Sequence, residues 1–243
     1  VLFSSGWEWG YWQNDVATLR MNWNTPDSYR AVLEDMFAPF AASGVVDVLE
    51  AVTEAQYDTL INERLAPWVA GQDSAMEAGA GAGVIAQPLR TPFDALSESE
   101  RDLVVQLDSL AIVYQSQLSQ LDVGENPWLQ EIEEGLLVNA YRASFMSALI
   151  RAVIDGDVTA LNDAEAAQLA AAQVVNRRHE RLWTKYPERM VTYGFNNTLY
   201  EFGYLTRADE LCYWERERRQ VLEVLGQESL PIPGCLLDRI VQE

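Results

Sequence analysis

Residues 126–154 read NPWLQEIEEGLLVNAYRASFMSALIRAVI, and their spacing predicts one long helix. Asn126 is a helix-capping residue, and Pro127 suits the first helical position, where a missing N–H is no loss. Leu129, Ile132, Leu136, Tyr141, Phe145, Leu149 and Ile150 then keep helical spacing to about Ile154. An amphipathic helix of that length has to bury its apolar stripe against other helices.

The flanking sequence supplies them. Ser97 and Glu100 form a capping box ahead of a second stripe, Leu103, Leu107, Leu110, Tyr114, Leu118 and Leu121. Asn162 and Glu165 are read as the start of another helix, reaching Trp183 before Pro187. Thr206 is read as the cap of a further one, which carries Leu211, Trp214, Val221, Leu222 and Leu225 and stops at Gly226. Upstream, Thr25-Pro26-Asp27 predicts a helix running to Pro39, with another from about Val45. Thr53 and Gln56 look like a second capping pair, which predicts a restart before Tyr57, Leu60, Ile61 and Leu65. Between Gly71 and Pro92 the chain is rich in Gly and Ala, without the Lys and Ser/Thr of a phosphate-binding loop, and is read as a linker.

The resulting fold class is mainly α, an antiparallel helical bundle-like domain preceded by one short N-terminal strand at residues 1–5. The expected organisation is a strand and Trp-rich junction over 1–25, a helical subdomain over 26–92 and a helical bundle domain with an extended tail over 93–243. After the junction, Val16, Leu19 and Trp23 recur at i, i+3 and i+7, with Asn14 or Asp15 available as the cap.

Charge narrows the partners. The chain has 243 residues, 37 acids against 17 basic residues, and a net charge of -20. Nucleic acid and anionic membranes need clustered Lys and Arg, so neither is expected as a partner. No apolar run approaches the roughly 20 residues that cross a bilayer. The acidity fits a secreted or periplasmic setting, and the preference for Arg, with Lys185 as the sole lysine, fits a bacterial source. Cys212 and Cys235 are either a disulfide or two buried thiols.

His179 is the only histidine, which excludes multi-histidine metal centres and the two Glu-x-x-His motifs of a di-iron bundle. It lies in a charged helical stretch, Asn176 to Arg181, and reads as a surface or interhelical residue. No metal or cofactor is implied. Glu131, Glu133 and Glu134 read as acids placed in first helical turns by the macrodipole, and Glu215 with Arg219 as a solvated ion pair.

The run Gly6-Trp7-Glu8-Trp9-Gly10-Tyr11-Trp12-Gln13-Asn14-Asp15 is different in kind. Aromatic rings interleaved with acids and amides suit a ring-shaped polar ligand such as a sugar, whose C–H faces stack on rings while its hydroxyls meet polar groups. A carboxyl beside indoles has its pKa raised by desolvation, as a general acid requires, and glycoside cleavage needs two carboxyls. Glu8 and Asp15 are the candidate catalytic pair, and Trp7, Trp9, Tyr11, Trp12 and Asn14 the candidate ligand-binding residues. The same tryptophans also fit an ordinary aromatic core at a junction. An aromatic and amide-rich segment, Tyr193 to Tyr204, lies between two expected helices and reads either as an aromatic-rich interhelical connection or as a loop that closes over the first cluster.

An apolar strand, then Trp-Glu-Trp-Gly-Tyr-Trp-Gln-Asn-Asp, then helices resembles the last strand and loop of a barrel-type glycoside hydrolase entering a helical C-terminal domain. The resemblance covers residues 1–15. It implies a sugar site built from Glu8, Asp15 and the three indoles, with the barrel, about 250 residues in such enzymes, on an N-terminal portion or a partner chain. Two functions follow. One is a C-terminal helical part of a carbohydrate-active protein contributing an aromatic and acidic loop to a sugar site. The other is a non-catalytic binding or assembly module whose Trp-rich N-terminus packs on a partner chain.

Overall fold

A computed structural model describes residues 12–23, 28–40, 43–58, 93–94, 96–185 and 212–228. The described residues are mainly helical and include no strand; the expected strand at 1–5 lies outside them. The helices are α1 (Trp12–Trp23), α2 (Tyr29–Phe37), α3 (Ser43–Gln56), α4 (Arg101–Leu118), α5 (Pro127–Asp155), α6 (Ala160–Lys185) and α7 (Cys212–Val224).

The helix signals around α5 act as read. Asn126 Oδ1 accepts from the Trp128 and Leu129 amides at 3.0 and 3.4 Å, and Pro127 opens the helix. At the far end Gly156 takes a left-handed φ of 65°, and the Asp157 amide donates back to the Ala152 carbonyl at 3.0 Å. That reversal satisfies a terminal carbonyl and starts the turn into α6. Ahead of α4, the Ser97 amide donates to Glu100 Oε2 at 2.7 Å, one half of the expected capping box.

Four helix boundaries differ from expectation. α2 begins at Tyr29, capped by Ser28, whose Oγ accepts from the Ala31 amide at 3.1 Å; a second good cap three residues after Thr25 takes the role. α3 does not restart at Thr53. The helix runs unbroken through Thr53 to Gln56; the Thr53 hydroxyl donates back to the Leu49 carbonyl at 2.7 Å, and Gln56 Nε2 donates to the Tyr114 hydroxyl at 2.7 Å. α6 begins at Ala160 instead of Asn162, because Asp157 Oδ1 accepts from the Thr159 amide and hydroxyl at 2.8 and 2.7 Å and fixes the turn earlier. Those bonds hold the Asp157 carboxyl below its ordinary range, the hydroxyl contributing most. α1 begins at Trp12, which puts Asn14 and Asp15 inside its first turn and not at its cap.

Two apolar clusters share α5. One set of its residues, Leu129, Ile132, Leu136, Ala140 and Ala143, packs with Leu33 and Phe37 of α2, Val45, Val48, Leu49 and Val52 of α3, and Leu110 and Tyr114 of α4. A second set, Val138, Phe145, Leu149 and Ile150, packs with Leu107 of α4, Trp214 and Val221 of α7, and α6. On α6 the contact is made by Ala160, Ala164, Ala167, Ala171 and Val174, spaced alternately by four and three. Small side chains at helical spacing let the two long backbones approach closely. No helix among the described residues is long and apolar enough to cross a membrane.

Candidate functional site

Trp7, Glu8, Trp9 and Tyr11 lie outside the described residues, as does the segment from Tyr193 to Tyr204. Trp12, Asn14 and Asp15 are on the first turn of α1 by backbone, and their side chains also lie outside the described set. The rest of α1 is informative. It meets α2 through an Arg20–Asp35 ion pair at 2.7 Å, and its Ala17 is buried, 3% exposed. The stripe expected to face a core instead faces solvent: Val16 is 41% exposed, Leu19 56% and Trp23 92%. The small Ala17 side of the helix is the buried one, and the larger apolar side faces outward.

Ionisable residues gather elsewhere, between helices. Glu131 and Glu134 of α5 meet three guanidiniums of α6. Arg178 Nε reaches the two Glu131 oxygens at 3.0 and 2.9 Å, and Arg181 Nη2 reaches Glu131 at 3.0 Å. Arg181 also bonds Glu134, which Arg177 Nε approaches at 3.3 Å. Glu131 and Glu134, expected as acids placed in the first turns by the macrodipole, are partners in a largely buried interhelical network. Position on the α6-facing side of α5, and not the helix dipole, explains them. Burial is the largest influence on Glu134 and pushes its carboxyl up; Arg181 pulls it down, Glu131 pushes it up again and Arg177 pulls it down. Burial likewise pulls the Arg178 guanidinium down, offset by Glu131.

This has a measurable consequence. A carboxyl whose folded pKa exceeds its unfolded value binds more protons when folded, so its contribution to stability falls as pH rises between the two. In urea unfolding across the acidic range, Glu134→Gln flattens that slope, and the wild-type advantage over the variant shrinks as pH rises. An advantage that grows with pH contradicts the assignment.

A second charge pair is fully internal. Arg142 of α5 is 0% exposed and grips Glu217 of α7 in a bidentate contact, Nη1 to Oε2 at 2.5 Å and Nη2 to Oε1 at 2.8 Å. Its guanidinium lies over the Phe145 and Trp214 rings, 5.5 and 5.2 Å from their centroids. Beside it Glu215 is buried and pairs with Arg218 at 3.0 Å, so the solvated Glu215–Arg219 pair expected from spacing is replaced by one turned inward. Arg218 also reaches Glu165 of α6 at 3.3 Å.

No family model, curated protein or solved structure matches the chain.

The chemistry of these groups is cohesive. Each carboxylate in the two buried clusters is held by guanidiniums, an arrangement that fixes helix register. Among the described residues there is no grouping of three or more His, Cys, Asp or Glu side chains able to hold a metal ion. Among the described residues, α1 turns a row of large apolar side chains, Val16, Leu19 and Trp23, to solvent.

Proposed function

We propose that the chain is a non-catalytic helical binding or assembly module, an antiparallel bundle whose N-terminal junction packs on another polypeptide. The supporting observation is the solvent-facing row Val16, Leu19 and Trp23 on α1. Residues 16–23 carry one charge, Arg20, in a chain with a net charge of -20. An apolar row that runs on from a tryptophan-rich segment belongs to a contact surface, since contiguous exposed apolar patches mark interaction sites. Electrostatic repulsion between acidic molecules is weakest where the surface is neutral, so such a face is also where association is least opposed.

In isolation the chain associates through this face as concentration rises. Size-exclusion chromatography with light scattering shows a growing mass for the wild type. A Val16→Glu, Leu19→Glu variant stays monomeric, with an unfolding free energy within about 0.5 kcal/mol of wild type because both positions are exposed. Equal association of wild type and variant contradicts the assignment.

The carbohydrate reading is favoured by one observation, the density of carboxyls and amides among the rings of residues 7–15. A plain aromatic core would take Leu, Ile and Val in their place. On that reading the chain is the C-terminal helical part of a secreted or periplasmic carbohydrate-active protein, and Glu8 and Asp15 act on a sugar held by Trp7, Trp9, Tyr11, Trp12 and Asn14. Glu8→Gln then abolishes glycoside turnover without loss of stability. Under the assembly reading the same substitution leaves self-association intact.

A further inference from the structure

α7 differs in character from the helices it packs on. Residues 212–224 hold three Glu and three Arg, a net charge of zero in a chain of -20. Among its described side chains, Trp214 and Val221 are the fully buried apolar ones, and Leu222 packs partly against the same cluster. α4, α5 and α6 are joined instead through long apolar rows, Leu107, Val138, Phe145, Leu149 and the alanines of α6. A mostly charged helix leaves its seat without baring a large apolar face, whereas those three cannot separate without opening the core.

The seat of α7 is coded by charge. Toward α5, Glu217 accepts from both Nη atoms of Arg142 at 2.5 and 2.8 Å. Toward α6, Arg218 reaches Glu165 at 3.3 Å. Between these pairs the Trp214 ring packs 5.0 Å from that of Phe145. α5 offers a cation and α6 an anion, and α7 turns the opposite sign to each. Anchors at 214, 217 and 221, three and four apart, are the pattern of a helix laid in a groove. A seat built from α5 and α6 is present in every copy of the chain, and a neighbour's α7 meets it with the same contacts as its own.

We propose that α7 is an exchangeable helix and that the α5–α6 seat takes the α7 of a second copy of this chain, giving a reciprocally swapped dimer. Exchange keeps every contact above, so docking in trans costs the freedom lost on association. A neutral helix also meets a second acidic copy without the repulsion that opposes more acidic surfaces. Residues 186–211 separate α6 from α7, a stretch long enough to reach a neighbouring copy at about 3.3 Å per residue. In dilute solution the chain's own α7 wins by effective concentration, and crowding copies together favours exchange. The seat does not involve α1, and the proposal stands apart from the assembly reading.

Two complementary full-chain variants test it, at a concentration where the wild type is monomeric. Glu217→Arg sets two cations against each other within one chain, and Arg142→Glu sets two anions, so neither copy seats its own α7. Mixed one to one, the Glu217 of one copy meets the Arg142 of the other. Size-exclusion chromatography with light scattering is expected to show twice the monomer mass for the mixture and the monomer mass for each variant alone. Both are unfolded in urea and refolded together, so helicity lost in a single variant and regained in the dimeric mixture supports the proposal equally. It is overturned if the refolded mixture stays at monomer mass or if either variant dimerises alone to the same extent. It is also overturned if the mixed dimer disappears in a Val16→Glu, Leu19→Glu background, which would assign the contact to α1.

Discussion

Glu217→Ala lowers the unfolding free energy by about 3–5 kcal/mol, the usual cost of breaking a buried ion pair from one side. The removed carboxylate is the bidentate partner of Arg142, which has no solvent exposure and lies over two aromatic rings. An uncompensated guanidinium in that position stays buried, since Arg142 is 0% exposed. Replacing both members, Arg142→Met with Glu217→Leu, recovers most of the loss, because an apolar pair of similar volume carries no desolvation cost. Urea unfolding followed by circular dichroism reads both values. A loss below about 1 kcal/mol for Glu217→Ala, in the range of exposed pairs, contradicts the burial of this contact.

Phe145→Ala is the second large effect, at about 3–5 kcal/mol. Phe145 is fully buried where α5 meets α7, with its ring centroid 5.0 Å from that of Trp214. Its removal takes away transfer energy and leaves a cavity, and also withdraws one of the two rings beneath Arg142. The two sites therefore couple. The double variant Phe145→Ala, Glu217→Ala loses less than the sum of the singles, since each disrupts the same junction. Ile112→Ala on α4 is the matched surface control: Ile112 is 64% exposed, and its truncation stays within about 0.5 kcal/mol.

The sequence made α5 legible because every signal for it is local. Cap, first-turn proline, apolar period and terminating glycine all lie within a few residues of where they act. Ser97, Asn126 and Gly226 are similarly self-contained. Boundaries failed where two neighbouring residues were both competent, as with Thr25 and Ser28, or where a polar side chain was claimed by a distant partner, as Gln56 is by Tyr114. Such competition is settled by tertiary contacts that spacing does not carry.

The buried charges were missed for a related reason, although a signal existed. Arg142 stands three residues before Phe145 and seven before Leu149, on the apolar stripe itself. Glu217 stands three after Trp214 and four before Val221. Opposite charges at core positions of two helices mark a candidate internal pair, but their separation of 75 residues hides which helix meets which. The Glu131 and Glu134 reading erred by treating position in the helix as the explanation when the α6 face decided it. For α1, amphipathicity correctly marked a face in need of cover, but periodicity does not say whether the cover comes from the same chain. Of the candidate site, Trp7, Glu8, Trp9 and Tyr11 lie outside the described residues, and the chemistry read from them stands on their sequence.

The role of α1 as a contact surface is tested most directly by hydroxyl-radical footprinting at low and high protein concentration. Trp23 and Leu19 are oxidised readily in the dilute protein and become protected as the chain associates, while Val105 and Ile112 on the exposed side of α4 stay equally reactive throughout. Unchanged labelling of Trp23 and Leu19 in an associated sample, or protection confined to α4, would contradict it.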